Sequence, residues 1–274
     1  MSSIGFGFTI GKAKKAGGVS YDADAQAFFT ATGITDTTQK SAVNQLVLDL
    51  KSYNIWTKMK AIYPFVGGSA SSHKYNLKDS RDLDAAFRLS FSTGWSHGIT
   101  GATPNGSSAF ANTFLNTATN LTLNSGAYGF YSRTNSLVQS CDIGAYSTLP
   151  DSFTYIYTYV TGGLRDFRYC EGSAGITRYN SATRTDGLIV ASRTASNVAK
   201  GYRNGAIEIS GSVPSSATSL VNLILGAYNN NGTAAAYSSR QLAFAFISTG
   251  LTDTEVSNLN TSVTTFQTTL SRNV

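Results

Sequence analysis

The first apolar positions along the chain alternate: Ile4, Phe6, Phe8 and Ile10 are separated by Gly5, Gly7 and Thr9. As a strand, this segment has one large apolar face and one nearly bare face that lets another backbone approach. A basic linker, Lys12 to Gly18, follows. The segment reads either as an arm that docks into a partner by strand addition, or as an N-terminal strand or tail of its own domain.

Between residues 21 and about 60 the period lengthens. Asp22 and Asp24 precede Ala25, Phe28 and Phe29, and Gly33 follows, which predicts a short helix with acids in its first turn and a glycine stop. Asp36 is placed to cap a second helix, with Gln39 as its capping-box partner. Val43, Leu46, Val47 and Leu50 then form an amphipathic stripe. Asn54 is expected to cap a last turn carrying Trp56 and Met59.

From about residue 61 the period falls towards two. Turn signals recur at Gly67-Gly68, Pro104-Asn105-Gly106, Asn124-Ser125-Gly126, Gly162-Gly163, Asp186-Gly187, Asn204-Gly205 and Asn229 to Gly232. Between them lie strand-like runs: Phe87 to Phe91, Tyr128 to Tyr131, Phe153 to Val160, Leu188 to Ala191, Ile207 to Ile209, Leu223 to Leu225 and Leu242 to Ile247. In one of them Phe153, Tyr155, Tyr157 and Tyr159 share a face against Thr154, Ile156, Thr158 and Val160. Asn204-Gly205 predicts a type I′ hairpin. Many short strands with Gly/Asn turns indicate a mainly β jelly-roll sandwich. A capping box at Thr252 and Glu255 then opens a helix whose seam is Val256, Leu259, Val263, Phe266 and Leu270. Its threonines are poor helix formers, so it needs packing, on its own chain or on a second copy. The expected division is an arm and linker over 1–20, a helical collar over 21–60, a jelly roll over 61–250 and a C-terminal helix over 251–274.

Composition sharpens this picture. Ser, Thr, Asn and Gly make up 113 of 274 residues, and charged residues only 13%. Aromatics reach 12%, enough to build a core, so the chain does not have a disordered profile. No apolar run approaches the ~18 residues of a membrane span, and no signal peptide or membrane insertion is expected. The net charge of +6 is spread thinly apart from Lys12, Lys14 and Lys15, so no nucleic-acid partner is expected. Cys141 and Cys170 are expected as free thiols in strands, with a single bridge as the alternative.

Catalytic constellations are scarce. Sugar cleavage needs two carboxylates roughly 5–9.5 Å apart. The strands offer isolated acids: Asp142, Asp151, Asp166, Glu171 and Glu208. Asp22/Asp24 opens a helix, and Asp82/Asp84 sits beside Arg81 and Arg88. His73 and His97 are the only histidines, without metal-ligand spacing. No metal, cofactor or catalysis is expected. A sugar platform combines an aromatic face with amides and hydroxyls. Trp95 with His97, and Tyr228 with Asn229, Asn230 and Asn231, are the candidates; the alternatives are that Trp95 is core and the Asn run a turn.

Two resemblances add to this reading. Lys200 to Ser212, Leu223 to Gly232, Gln241 to Glu255, Tyr63 to Gly67 and Gly101 to Gly106 resemble the hairpins, closing strand, capped helix and opening of laminin-G-like (concanavalin A-like) jelly rolls. That match covers about residues 61–260 and is silent on ligand. Ala42 to Leu77, with Tyr228 to Gly232 and Arg240 to Phe244, resembles virion structural proteins of tailed phages of the Bacteroides and crAss-like type. The second resemblance implies a virion location and a head-fibre, tail-fibre or appendage role. The expectation is a homo-oligomer attached to capsid or tail proteins through its N-terminus, displaying a jelly roll for host adhesion or glycan binding. A glycan-degrading enzyme on the same fold and a bacterial surface lectin are the alternatives.

Overall fold

A computed structural model describes Met1, residues 20–173, the backbone of 177–180 and residues 183–274. The candidate arm residues Ile4, Phe6, Phe8 and Ile10 lie outside the described residues. In chain order the elements are α1 (Ala23–Thr32), α2 (Thr37–Ser52), β1 (Met59–Tyr63), α3 (Ala70–His73), β2 (Ser90–Phe91), β3 (Trp95–Gly98), β4 (Gly101–Pro104), β5 (Ala111–Asn112), α4 (Thr117–Asn120), β6 (Gly126–Ser132), β7 (Ser140–Thr148), β8 (Asp151–Val160), β9 (Leu164–Glu171), β10 (Thr177–Asn180), β11 (Gly187–Ala195), β12 (Val198–Arg203), β13 (Ala206–Ser212), β14 (Ile224–Leu225), β15 (Tyr228–Asn230), β16 (Thr233–Ala235), β17 (Leu242–Ser248) and α5 (Asp253–Thr269). The fold is mainly β: a jelly-roll-like sandwich with N-terminal helices and a C-terminal helix.

The strands form two sheets. The first runs β13-β12-β11-β6-β17-β4-β3, with β1 also on β17; the second runs β10-β9-β8-β7-β14-β5-β2, with the β15–β16 hairpin added on β7. Alternation along the central strands of the first sheet divides their side chains between two cores. Leu188, Val190, Phe244 and Phe246 face α1, α2 and α5. Ile189, Tyr128, Phe130, Ala245 and Ile247 face the second sheet. The molecule is therefore three layers deep, and both β6 and β17 are buried along their whole length.

The helices follow the sequence signals, with three differences. Asp22 caps α1 and Gly33 ends it at φ 69°. Asp36 caps α2 by accepting from the Gln39 amide, but the Gln39 side chain accepts from the Gly67 amide instead, so no capping box closes there. Asn54 caps nothing: it sits at φ 60°, and Ile55 opens the 3₁₀ turn Trp56–Lys58. Phe87 does not join a strand, because it ends another 3₁₀ turn at φ 57°, leaving only Ser90–Phe91 extended. The Thr252/Glu255 box does close, and Glu255 pairs with Lys58 at 2.5 Å. Both residues of Asn204-Gly205 have positive φ, 48° and 78°, as a type I′ turn requires.

The seam of α5 is spent within the chain: Val256, Leu259, Val263 and Phe266 are buried with Val43, Leu46, Val47 and Leu50 of α2 in one core. Helices and first sheet thus share a core rather than meeting through a linker. Just past α5, the buried Arg272 donates to the carbonyls of Pro64, Phe65 and Ala243 and to the Gln267 side chain. Burial pulls its pKa down to about 9. Cys141 and Cys170 are buried free thiols.

Phe244 packs against Phe246 and Phe266 in the core between helices and sheet. Phe244→Ala should lower unfolding stability by about 3–5 kcal/mol in denaturant titration. A loss below about 1 kcal/mol would mean that the helical layer is not packed on the sheet.

Candidate functional site: the aromatic face of the second sheet

Strand β8 carries the site because its two faces differ. Thr154, Ile156 and Thr158 point inward and are buried, whereas Phe153 and Tyr157 remain half-buried on the other face. Tyr155 lies between those two and belongs to neither core. The close approach of β8 to the paired strand β7 needs the bare backbone of Gly144, since a Cβ there would lie 2.4 Å from the Tyr155 Cβ. On the far side of β7, the parallel pairing of β15 brings in Tyr228.

The rings meet at steep angles. Tyr155 and Tyr157 are 5.0 Å apart at 82°, and Tyr228 stands 6.1 and 6.0 Å from them at 59° and 54°. Phe153 extends the row, with its centroid 5.8 Å from Tyr155, and stacks on Tyr146 at 4.2 Å. Between Tyr155, Tyr157, Tyr228, Phe153, Gln139 and Asp166 lies an open cleft of about 190 Å³.

The neighbouring strand β9 supplies the charges. Its register places Asp166 opposite Tyr157 and Arg168 opposite Tyr155. Both are buried, pair at 3.3 Å, and Asp166 also accepts from the Tyr155 hydroxyl at 3.3 Å. The Arg168 guanidinium lies 4.8 and 5.3 Å from the Phe153 and Tyr155 centroids. Burial raises the pKa values of Tyr155, Tyr157 and Tyr228, so their hydroxyls stay protonated at neutral pH. The cleft thus offers π faces, neutral hydroxyls and an exposed amide, a combination suited to the C–H faces and hydroxyls of a sugar.

The other candidate residues are placed differently. Tyr228 joins the cleft, but Asn229 and Asn230 lie in β15, paired with Ala234 and Thr233, and Asn231 opens the turn to β16. Asn229 accepts from the Gly232 amide and donates to the Asn222 carbonyl, and Asn231 sits at φ 50°. Trp95 packs on the core between the sheets, with its ring against Gly226 and its Nε1 buried. His97 stacks on Trp95, meets Phe91 edge-on, and its Nδ1 lies 2.9 Å from the Nδ1 of His73. Among the described residues, no ring contact joins this group to Tyr228, so the two candidates are separate places. Phe153, Tyr155 and Tyr157 were visible in the sequence as one alternating aromatic face; what was missing was the knowledge that, among the described residues, neither hydrophobic core includes it.

The remaining strand acids are engaged elsewhere. Asp142 pairs with Arg240 at 3.1 Å, Glu171 with Arg193 at 3.2 Å, and Glu208 with Arg165. Asp151 accepts from the Ser173 amide. Asp22 pairs with Lys51, and Asp82 and Asp84 with Arg88. A larger cavity of about 590 Å³ lies between α1 and the turn at residues 77–81. Asp79 pairs with Arg81 and Asp24 with Lys51, Lys78 lies over the Trp56 ring, and its described lining contains no aromatic residue.

No protein-family model and no curated protein matches the chain. Solved structures are similar to it at low identity. Domain 4 of AbnA, an extracellular GH43 arabinanase from Geobacillus stearothermophilus, is 14% identical over 74% of this chain and 98% of that one, with a TM-score of 0.42. The binding domain of botulinum neurotoxin serotype G is 12% identical over 75% of this chain and 51% of that one, with a TM-score of 0.45. A Trypanosoma rangeli sialidase is 12% identical over 82% of this chain and 39% of that one, also at 0.45. At these identities and TM-scores the likeness carries no argument about what this chain does.

The histidine pair makes its own prediction. His73 is buried, and desolvation first, then His97 and Arg272, hold its pKa down at about 3 against an ordinary 6.5. A depressed histidine favours the folded state above its unfolded pKa, so stability should fall as pH drops from about 6.5 towards about 3. The difference in stability between the wild type and His73→Gln should change across that window; parallel pH profiles would contradict the assignment.

Proposed function

We propose that this protein is a non-enzymatic, glycan-binding structural subunit of a phage virion, displaying the outer face of its second sheet. The observation that carries the binding role is the aromatic cleft of Tyr155, Tyr157 and Tyr228 on a sheet face that, among the described residues, no core cluster covers. Aromatic rings presented with neutral hydroxyls gain from stacking on a sugar's apolar face while satisfying its hydroxyls. Binding rather than cleavage is supported by the lining of the cleft: among the described residues its only carboxylate is Asp166, already paired, whereas glycosidases use two.

The virion assignment rests on the resemblance of Ala42 to Leu77, Tyr228 to Gly232 and Arg240 to Phe244 to tailed-phage structural proteins. In this reading the N-terminal arm attaches to capsid or tail proteins, and copies act together as a homo-oligomer. One small cleft binds weakly, and repetition on a particle multiplies the avidity without new contacts.

On a glycan array, the wild-type protein should retain a defined set of bacterial-surface glycans. Tyr157→Ala and Tyr228→Ala should each weaken that binding at least about tenfold, the equivalent of about 1.4 kcal/mol. Unchanged binding by both variants would refute the site. Sugar release by the wild type, lost in Asp166→Asn, would instead make the protein an enzyme.

A further inference from the structure

One end of the cleft has a fixed polarity. Gln139 stands just before β7 and Val160 ends β8, where the antiparallel register pairs Ser140 with Tyr159. Both side chains line the cleft with Tyr157 and Tyr228. Thr161 orients the Gln139 amide: its backbone N–H and its hydroxyl donate to the same Oε1, at 3.2 and 2.7 Å. A backbone N–H can only donate, so the atom it meets is the amide oxygen, which settles which way the amide is turned. Both acceptor positions of that oxygen are filled, and among the described residues Nε2 donates to no protein group. This end of the cleft therefore offers an N–H donor next to the apolar side chain of Val160.

A sugar hydroxyl placed here can accept from Nε2. Its own proton then finds no acceptor on Oε1, and it gains nothing from Val160. An acetamido group matches both neighbours. Its carbonyl oxygen only accepts, as Nε2 requires, and its methyl is removed from water against Val160. Resting on the glycan-binding reading, we propose that this end of the cleft is a subsite for the acetamido group of an N-acetylated amino sugar, with Gln139 donating to the acetamido carbonyl.

The test is an NMR titration of the full chain with matched sugars: N-acetylglucosamine against glucose, and N-acetylgalactosamine against galactose. At least one acetamido sugar should perturb the ring resonances of Tyr157 and Tyr228, and bind at least about tenfold more tightly than its parent hexose. Gln139→Ala removes the donor. Gln139→Glu keeps the length and an acceptor for Thr161 but has no N–H to offer. Each should reduce the preference for the acetamido sugar at least about threefold. Gln139 is exposed, so neither change should disturb the fold. Hexoses that bind the wild type as tightly as the acetamido sugars would overturn the acetamido subsite and leave glycan binding standing. A preference undiminished in both variants would do the same. If none of the four sugars perturbs these rings, the subsite falls; the glycan-binding site falls with it only when Tyr157→Ala and Tyr228→Ala also leave array binding unchanged.

Discussion

Everything in this molecule depends on the first sheet being buried on both faces. Strands β6, β11 and β17 direct one set of side chains, among them Val190, Phe244 and Phe246, into the helical layer. They direct the alternate set, among them Phe130, Ile189 and Ile247, into the second sheet. Fully burying an aliphatic or Phe side chain is worth about 1.5–3 kcal/mol, so these two cores dominate the stability. The consequence for function is geometric: helices cover one side of the sandwich, and among the described residues neither core covers the aromatic face of the second sheet.

The low charge content has a physical counterpart in how charges are used. Arg165, Arg193 and Arg240 are almost wholly buried, each beside a carboxylate from a strand. Arg193 also donates to the carbonyls of Tyr169, Ser196 and Val213, so its donors are satisfied several times over. Such pairs are costly to break one-sidedly, which makes them effective at fixing a single strand register. They also take these carboxylates out of circulation for chemistry. The cleft therefore relies on ring faces, hydroxyls and an amide rather than on free charge.

Much of the fold was legible because its signals are local. Caps at Asp36 and Thr252, the glycine stop of α1, the Asn204-Gly205 turn and the stripes of α2 and α5 each depend on a few neighbouring residues. The misreadings involve long-range competition. Gln39 had a cap to close but turned to Gly67, 28 residues away, and Phe87 entered a left-handed turn despite its strand-like spacing. The site was half legible. Tyr228 was a candidate, and the alternation of Phe153, Tyr155 and Tyr157 was plain, but whether an aromatic face is core or surface depends on the next layer. Trp95 shows the converse: an aromatic beside a histidine could be a platform or core, and its ring packs on the core against Gly226.

The most direct test of the account is a structure of the protein bound to a glycan that it retains. The sugar is predicted to lie on the outer face of the second sheet, stacked among Tyr155, Tyr157 and Tyr228. Density for the sugar at the His73–His97 cluster, or in the cavity beside α1, with the aromatic face empty, would contradict it.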